Sequence, residues 1–88
     1  MINVYESLIG NYEVDKNALE KRLRKGIETY GTPLMTNNGR DAANDLIEEL
    51  LDAIMYAHQL ELEHPEYKGI TQMAIDSYDI FMFIHTEK

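Results

Sequence analysis

The chain has 88 residues, no cysteine and a formal net charge of −8, with 16 acidic side chains against eight lysines and arginines. Its length predicts a single domain, residues 1–88, with a small core. The absence of cysteine excludes disulfides and thiolate zinc sites, and so acidic a chain is a poor partner for duplex nucleic acid.

Hydrophobic residues make up 44% of the chain, which predicts a folded protein despite the charge. No apolar run is longer than five residues, as in residues 80–84, whereas crossing a bilayer needs roughly 18. The first residues do not have the basic and apolar pattern of a secretory signal. We therefore expect a cytoplasmic protein without a membrane partner.

The charge is unevenly distributed along the chain. Residues 11–40 have a net charge of +2, whereas residues 41–88 have −9 because only two lysines stand there against eleven acids. Opposite charges of this kind could attract each other within one chain, between copies, or around a ligand that contains both phosphate and metal.

Residues 1–13 come first in chain order, and they fit at most a short helix. Their apolar side chains have helical spacing, and Gly10 is expected to break the helix. The first clear helix is predicted to begin at Asn17, with Glu20 completing a capping box, and to end near Tyr30 before Gly31. Its apolar stripe consists of Leu19, Leu23, Ile27 and Tyr30.

The segment that follows, residues 31–41, is rich in glycine, threonine and asparagine and leads into the longest predicted helix. Free backbone N–H groups and the helix dipole favour an anion at such a position. The predicted ligands of a phosphate are Arg24, Lys25, Thr32, Asn38, Gly39 and Arg40. The alternative is a plain turn at Asn38-Gly39, followed by Asp41 as an N-cap that competes with any anion for the same donors.

Two longer helices are predicted in the second half of the chain. The first runs from Asp41 to about Glu63, and its apolar positions repeat at 4-3-4-3 spacing in Ala43, Ile47, Leu50, Ile54 and Ala57. His64-Pro65 ends it. The second begins between Pro65 and Thr71, and its apolar stripe consists of Ile70, Met73, Ala74, Ser77, Phe81 and Ile84.

These elements predict an all-α fold class. The architecture is a short helical bundle, made of a hairpin of the two longer helices and a basic N-terminal helix. A hairpin alone cannot bury the apolar surface of residues 80–84 together with that of the preceding helix. We therefore predict a homo-oligomer that completes the bundle.

The two longer helices each contain an acidic half-motif. Glu48, Glu49 and Asp52 lie on the first helix, and Asp76 and Asp79 lie on the second at a spacing of three residues. If the helices pack antiparallel, these five carboxylates could converge and bind a hard cation such as Mg²⁺. The alternative is a solvated acidic face on each helix.

Three segments resemble a known family: residues 25–34 (KGIETYGTPL), 38–42 (NGRDA) and 48–52 (EELLD). Over about residues 24–60 the chain resembles small bacteriophage proteins whose acidic helix is similar to that of the MazG-like all-α nucleoside triphosphate pyrophosphohydrolases. In those enzymes the first half-motif is two glutamates followed by a third acid, and the second is Glu and Asp three apart. Here Asp52 and Asp76 stand where the family has glutamate, which shortens two ligand side chains by one methylene.

The resemblance implies a helical dimer or tetramer that binds a nucleotide through Mg²⁺ in the cytoplasm of an infected host. Three functions agree with the sequence. The first is a module that sequesters a nucleotide or a nucleotide-derived host defence signal without turnover. The second is a magnesium-dependent pyrophosphohydrolase, and the third is an acidic inhibitor that binds a host defence protein or a nucleic-acid-binding protein. We favour the first, with no catalytic residue assigned, because the loop matches the family better than the metal motif does.

Overall fold

The computed structural model describes residues 1–87, so Lys88 lies outside the described residues. It contains four helices, α1 (Val4–Asn11), α2 (Lys16–Tyr30), α3 (Ala42–Glu63) and α4 (Ile70–Thr86), with a 3₁₀ turn, Pro65–Tyr67, between the last two. No strand occurs in residues 1–87. The predicted all-α class, with a hairpin of two longer helices, is confirmed.

The chain divides into two compact units, Met1–Arg40 and Asp41–Lys88. The first contains α1 and α2, and the second contains α3 and α4. The prediction of a single domain over residues 1–88 stays a prediction. None of the helices described combines the length and the apolar character that crossing a membrane requires.

Helix α1 begins at Asn3, whose side chain accepts the backbone N–H of Glu6 at 3.1 Å. The short helix expected in residues 1–13 is present, and it continues through Gly10 and ends one residue later, at Asn11. A glycine within a helix costs only about 1 kcal/mol relative to alanine, which other contacts can offset. One such contact lies next to it, where the Asn11 side chain donates to the carbonyl of Ser7 at 2.8 Å.

Helix α2 begins at Lys16, and its cap is Asp15, two residues before the predicted cap Asn17. The Asp15 side chain accepts the N–H of Ala18 at 3.0 Å. The predicted capping box is absent because Asn17 lies inside the helix, and Glu20 pairs with Arg24. An ionised carboxylate at the positive end of a helix is a better cap than a neutral amide, which explains the earlier start.

The end of α2 agrees with the prediction. Gly31 ends the helix in the left-handed conformation, with φ of 81°. Only the first half of the predicted apolar stripe is partly buried, at Leu19 and Leu23, whereas Tyr30 is 80% exposed. Among the stripe residues of α2, burial is therefore limited to the first half of the helix.

The first unit is closed by two short extended segments that lie antiparallel. Asn3 forms a β-bridge with Met35. The N–H of Val4 donates to the carbonyl of Leu34 at 3.0 Å, and the N–H of Thr36 donates to the carbonyl of Ile2 at 2.9 Å. In addition, Thr36 Oγ1 accepts the N–H of Ile2 at 2.8 Å. These bonds attach the predicted anion-binding loop to the N-terminal segment.

Helix α3 agrees with the prediction at both ends. Asp41 caps its start by accepting the N–H of Asn44 at 3.1 Å, and the helix ends at Glu63 before His64. The inner positions are also confirmed: Ala57 is buried, and the residues that are partly buried include Ala43, Ile47, Leu50 and Ile54.

Helix α4 packs along α3 with a face that matches only half of the predicted stripe, because Ile70, Ala74 and Phe81 are partly buried as predicted. Of the predicted stripe, Met73, Ser77 and Ile84 are exposed. The partly buried positions are Ile70, Thr71, Ala74, Ile75, Tyr78, Phe81 and Met82. The helix is therefore rotated about its axis relative to the prediction, and one of its apolar faces is left in solvent.

The start of α4 is capped by a side chain from α3, which fixes this rotation. Gly69 occupies the N-cap position and has no side chain that could accept a hydrogen bond. Glu61 Oε2 instead accepts the backbone N–H of Thr71 at 3.0 Å, so a carboxylate lies at the positive end of the α4 dipole. His58 Nδ1 lies 3.3 Å from the Thr71 hydroxyl. Thr71 is therefore held against α3 through both its backbone and its side chain.

Glu61 should make the stability of the hairpin depend on pH. Hydrogen bonds from the side chain and then the backbone of Thr71 lower the pKa of Glu61 below its ordinary value of 4.5. Because the folded-state pKa is the lower one, the ionised carboxylate stabilises the fold above the unfolded-state pKa. That stabilisation is lost as the pH falls through the folded-state pKa.

We expect Glu61→Gln to lower the Tm at neutral pH, because the charge at the start of α4 is lost. The variant should also lose less stability than the wild type when the pH falls below 4.5, as followed by circular dichroism. The matched control is Glu49→Gln on the same helix, which removes an exposed acid. An acid transition identical in the wild type and Glu61→Gln would contradict this role.

Candidate functional site

The residues predicted to bind phosphate all lie in the first unit, but several of them already interact with other groups of the protein. Arg24 donates to Glu20 at 2.6 Å, and Lys25 lies 4.0 Å from Glu28. These four side chains are largely exposed, so each pair has little effect on stability. An anion at Arg24 would have to compete with a carboxylate that is already there.

The loop itself forms the turn that was the alternative to a phosphate site. Asn37 and Gly39 both have positive φ, 54° and 86°, and the Asn38 side-chain oxygen accepts the N–H of Arg40 at 3.0 Å. Thr32 is exposed in the same loop. The side chain of Asn38 thus stabilises the turn, in the manner of an Asx turn.

The N-terminus of α3 is occupied by a carboxylate of the chain. The side chain of Asp41 accepts the backbone N–H of Asn44, and its backbone carbonyl accepts the backbone N–H of Asp45. A phosphate at this helix end would need the same donors. Phosphate binding by the loop stays a prediction, and Asp41 is its direct competitor.

Two open concavities lie in the first unit. The larger, of about 470 Å³, is lined by residues 9–14 and Lys16 at the connection between α1 and α2. The smaller, of about 300 Å³, is lined by Asn17, Glu20, Lys21 and Arg24. Of the six predicted phosphate ligands only Arg24 lines either of them, and its partner Glu20 lines the same concavity.

The five acids predicted to bind metal are all exposed. On α3, Glu48 accepts a hydrogen bond from the side chain of Asn44 at 3.1 Å. Asp52 lies two residues from the inner positions Leu50 and Ile54, which places it on the opposite side of the helix from α4. On α4, Asp76 accepts from the side chain of Gln72 at 2.9 Å.

Residues 1–87 contain no group of three or more acidic, histidine or cysteine side chains that could hold a metal ion. The predicted spacing does place acids together along each helix, but the packing of α4 on α3 uses other faces of both helices. Binding of Mg²⁺ by Glu48, Glu49, Asp52, Asp76 and Asp79 stays a prediction.

Two surfaces of the second unit were not predicted as sites. On α3, the exposed Leu51 lies three residues after Glu48 and the exposed Met55 lies four residues after Leu51, so all three share a face. On α4, Met73, Ile80 and Ile84 form an exposed apolar face. The sequence indicated both surfaces through the number of apolar residues in α3 and α4, which is larger than one buried face on each helix can accommodate.

No family model, curated protein or solved structure matches this chain. The resemblance to MazG-like enzymes therefore stays a hypothesis based on the three sequence segments. The function has to be argued from the surfaces of the two units.

The positions of the acids lead to a prediction about how Mg²⁺ affects the Tm. Raising Mg²⁺ should increase the Tm no more than NaCl at equal ionic strength, because the described part of the chain presents no three carboxylates to one ion. A larger shift with Mg²⁺ that Glu48→Gln abolishes, while Glu13→Gln does not, would instead identify a bound ion through its stabilisation of the folded state.

The loop leads to a second prediction. Replacing Thr36 with valine removes the oxygen that accepts the N–H of Ile2, at a cost of about 1 kcal/mol or less for an exposed bond. Hydrogen exchange of the Val4 amide, measured by NMR, should then become several-fold faster because the two extended segments separate more often. Thr32→Val in the same loop is the control and should leave that rate unchanged.

Proposed function

We propose that this protein is an acidic protein-binding module whose helices α3 and α4 attach to a basic surface of another protein. The observation that supports this most directly is the excess of exposed acid in the second unit. Residues 41–88 contain eleven acids and two lysines, and Glu48, Glu49, Asp52, Asp76 and Asp79 are all exposed. The negative charges of such a surface repel one another, and contact with positive charge lowers the free energy.

The contacts of these acids support the same proposal. Glu48 and Asp76 each accept a hydrogen bond from a neutral amide one turn away on their own helix, from Asn44 and Gln72. These bonds orient the carboxylates without neutralising them. The negative charge therefore remains available to a partner.

The face of α3 that contains Glu48 has the composition of a protein-binding surface. Leu51 and Met55 are 41% and 64% exposed on this face, and Asp52 lies beside Leu51. Apolar side chains surrounded by charge are typical of interfaces, in which the apolar groups supply affinity and the charges select the partner. We define the α3 binding face as Glu48, Leu51, Asp52 and Met55.

The partner best suited to this face is a basic protein groove of the kind that otherwise binds a polyanion. On this face Glu48 and Asp52 are four residues apart, which places two negative charges about one helix turn from each other. This agrees with the third of the functions inferred from the sequence. It is preferred over nucleotide sequestration because Glu20 already pairs with Arg24, and Asp41 already caps the helix where a phosphate was expected.

The proposal is tested with a fluorescein-labelled helical peptide rich in lysine and leucine, whose binding is followed by fluorescence anisotropy. We expect binding that weakens as salt is added, and a Kd at least about tenfold higher in the triple variant Glu48→Gln, Glu49→Gln, Asp52→Asn. The matched control, Glu13→Gln, Glu20→Gln, Glu28→Gln, changes the net charge equally in the first unit and should change the Kd much less.

Two results would overturn the proposal. Equal weakening by both triple variants would mean that the peptide senses net charge and not a particular face. Absence of peptide binding, together with binding of a nucleotide from a panel supplied with Mg²⁺, would favour sequestration, and release of pyrophosphate in the same panel would favour the hydrolase.

A further inference from the structure

The loop before α3 contains an asparagine that is followed directly by a glycine. The chain has six asparagines, and Asn38 is the only one with glycine next to it. Asn38 and Gly39 are both exposed, so water reaches the peptide bond that joins them. The space around Gly39 is open, because a Cβ added there would have no other heavy atom within 4 Å. The backbone nitrogen of Gly39 is therefore accessible to the side chain that precedes it.

The turn in this loop directs the Asn38 side chain towards that nitrogen. The side-chain oxygen of Asn38 accepts the backbone N–H of Arg40 at 3.0 Å. A bond of this kind folds the side-chain carbonyl back over the peptide that follows it. Within residues 1–87 no group accepts the N–H of Gly39, so no hydrogen bond has to break before this nitrogen reacts.

The same hydrogen bond favours attack on the side-chain carbonyl of Asn38. When a nitrogen adds to Cγ, negative charge develops on Oδ1. The N–H of Arg40 already donates to that atom before any reaction begins. A donor that is positioned in advance stabilises developing charge without further reorganisation. The turn therefore lowers the barrier for a reaction between Asn38 and Gly39.

We propose that Asn38 is a self-modification site, which converts to aspartate and isoaspartate without an enzyme. The Gly39 nitrogen loses its proton to hydroxide and forms a bond to Cγ of Asn38. The Cγ–Nδ2 bond then breaks, and Nδ2 takes up a proton and leaves as ammonia. Water adds to one of the two carbonyl carbons of the resulting succinimide, whose bond to the ring nitrogen breaks as that nitrogen regains a proton. The net change is an amide plus water to a carboxylic acid plus ammonia.

The two products have different effects on the turn. Addition of water at Cγ gives aspartate, whose charged side chain can still accept the N–H of Arg40, and more strongly than an amide does. Addition at the backbone carbonyl carbon gives isoaspartate, in which Cγ becomes part of a longer backbone. The side-chain bond to Arg40 is then lost. Either product adds one negative charge to a chain that already has a net charge of −8.

This modification does not depend on the proposed function, because Asn38 is not part of the α3 binding face. The reaction consumes only water and releases ammonia, so nothing in the chain reverses it. The modified fraction therefore increases with the age of the molecule. Its effect is confined to the loop, where it changes both the charge and the length of the backbone.

The first test is peptide mapping by mass spectrometry after incubation in mildly alkaline buffer. Asn38 should gain the mass difference between an amide and an acid at least about tenfold faster than the other asparagines, since none of those precedes a residue without a Cβ. Gly39→Ala should slow the reaction by a similar factor, with circular dichroism as the check on helicity. An Asn38 that reacts no faster than the other asparagines would overturn the proposal.

The second test separates the turn from the local sequence. The same mapping is carried out on the native wild type and on the wild type unfolded in urea at the same pH. If the bond to Arg40 favours the reaction, Asn38 should be converted at least as fast in the native protein. A native rate far below the rate in urea would mean that the turn protects Asn38, and would overturn the proposal.

The third test follows the products by hydrogen exchange of the Arg40 amide, measured by NMR. The isoaspartate form, separated by chromatography, should exchange this amide several-fold faster than the unmodified protein because its hydrogen bond is lost. Asn38→Asp is the matched control, because it has the same added charge with an unchanged backbone, and it should keep the amide protected. Equal exchange in the isoaspartate form and in Asn38→Asp would contradict the loss of the turn.

Discussion

The hydrogen bond from the Thr71 backbone to the Glu61 carboxylate is the contact on which the second unit depends. It joins α3 to the first turn of α4 beside the connection between them, where Gly69 has no side chain with which to cap the helix. The same contact satisfies a donor at the helix start, places negative charge at the positive end of the dipole, and sets the rotation of α4. Because a helix is rigid over four turns, that rotation decides which residues of α4 lie against α3 and which lie in solvent.

When two helices pack together, each can bury only one of its faces against the other. This limit explains why many apolar side chains lie on the surface of the molecule. In residues 1–87 the only buried residue is Ala57, although 44% of the chain is hydrophobic. The apolar groups that the hairpin does not cover lie on both α3 and α4, close to exposed acids on each helix. Large apolar surfaces left exposed in this way are typical of proteins that bind other proteins or copies of themselves. The acids also remain in solvent, because burying an unpaired carboxylate has a large free-energy cost.

Residues 20–41 show how a chain satisfies its own polar groups where a ligand was expected. Every feature that suggested an anion site is also a feature of a stable turn or a capped helix. Asn38 accepts from the backbone two residues on, Asp41 caps α3, and Glu20 pairs with Arg24. A carboxylate supplied by the chain is always present at its helix end, whereas a phosphate must be recruited from solution. The composition of the loop alone does not distinguish these two uses of the same donors.

The sequence by itself determined the all-α class, the ends of α3, the cap at Asp41, the stop at Gly31 and the inner repeat from Ala43 to Ala57. These features depend on neighbours within a few residues, where glycine, proline, capping side chains and the 3.6-residue period act directly. Only the tertiary structure decided the rotation of α4 and the pairing of Asn3 with Met35. Each of these is set by a contact between residues far apart in the chain. Local periodicity shows that a helix has an apolar face, but where two such faces compete, the contact with Glu61 selects the one that is covered.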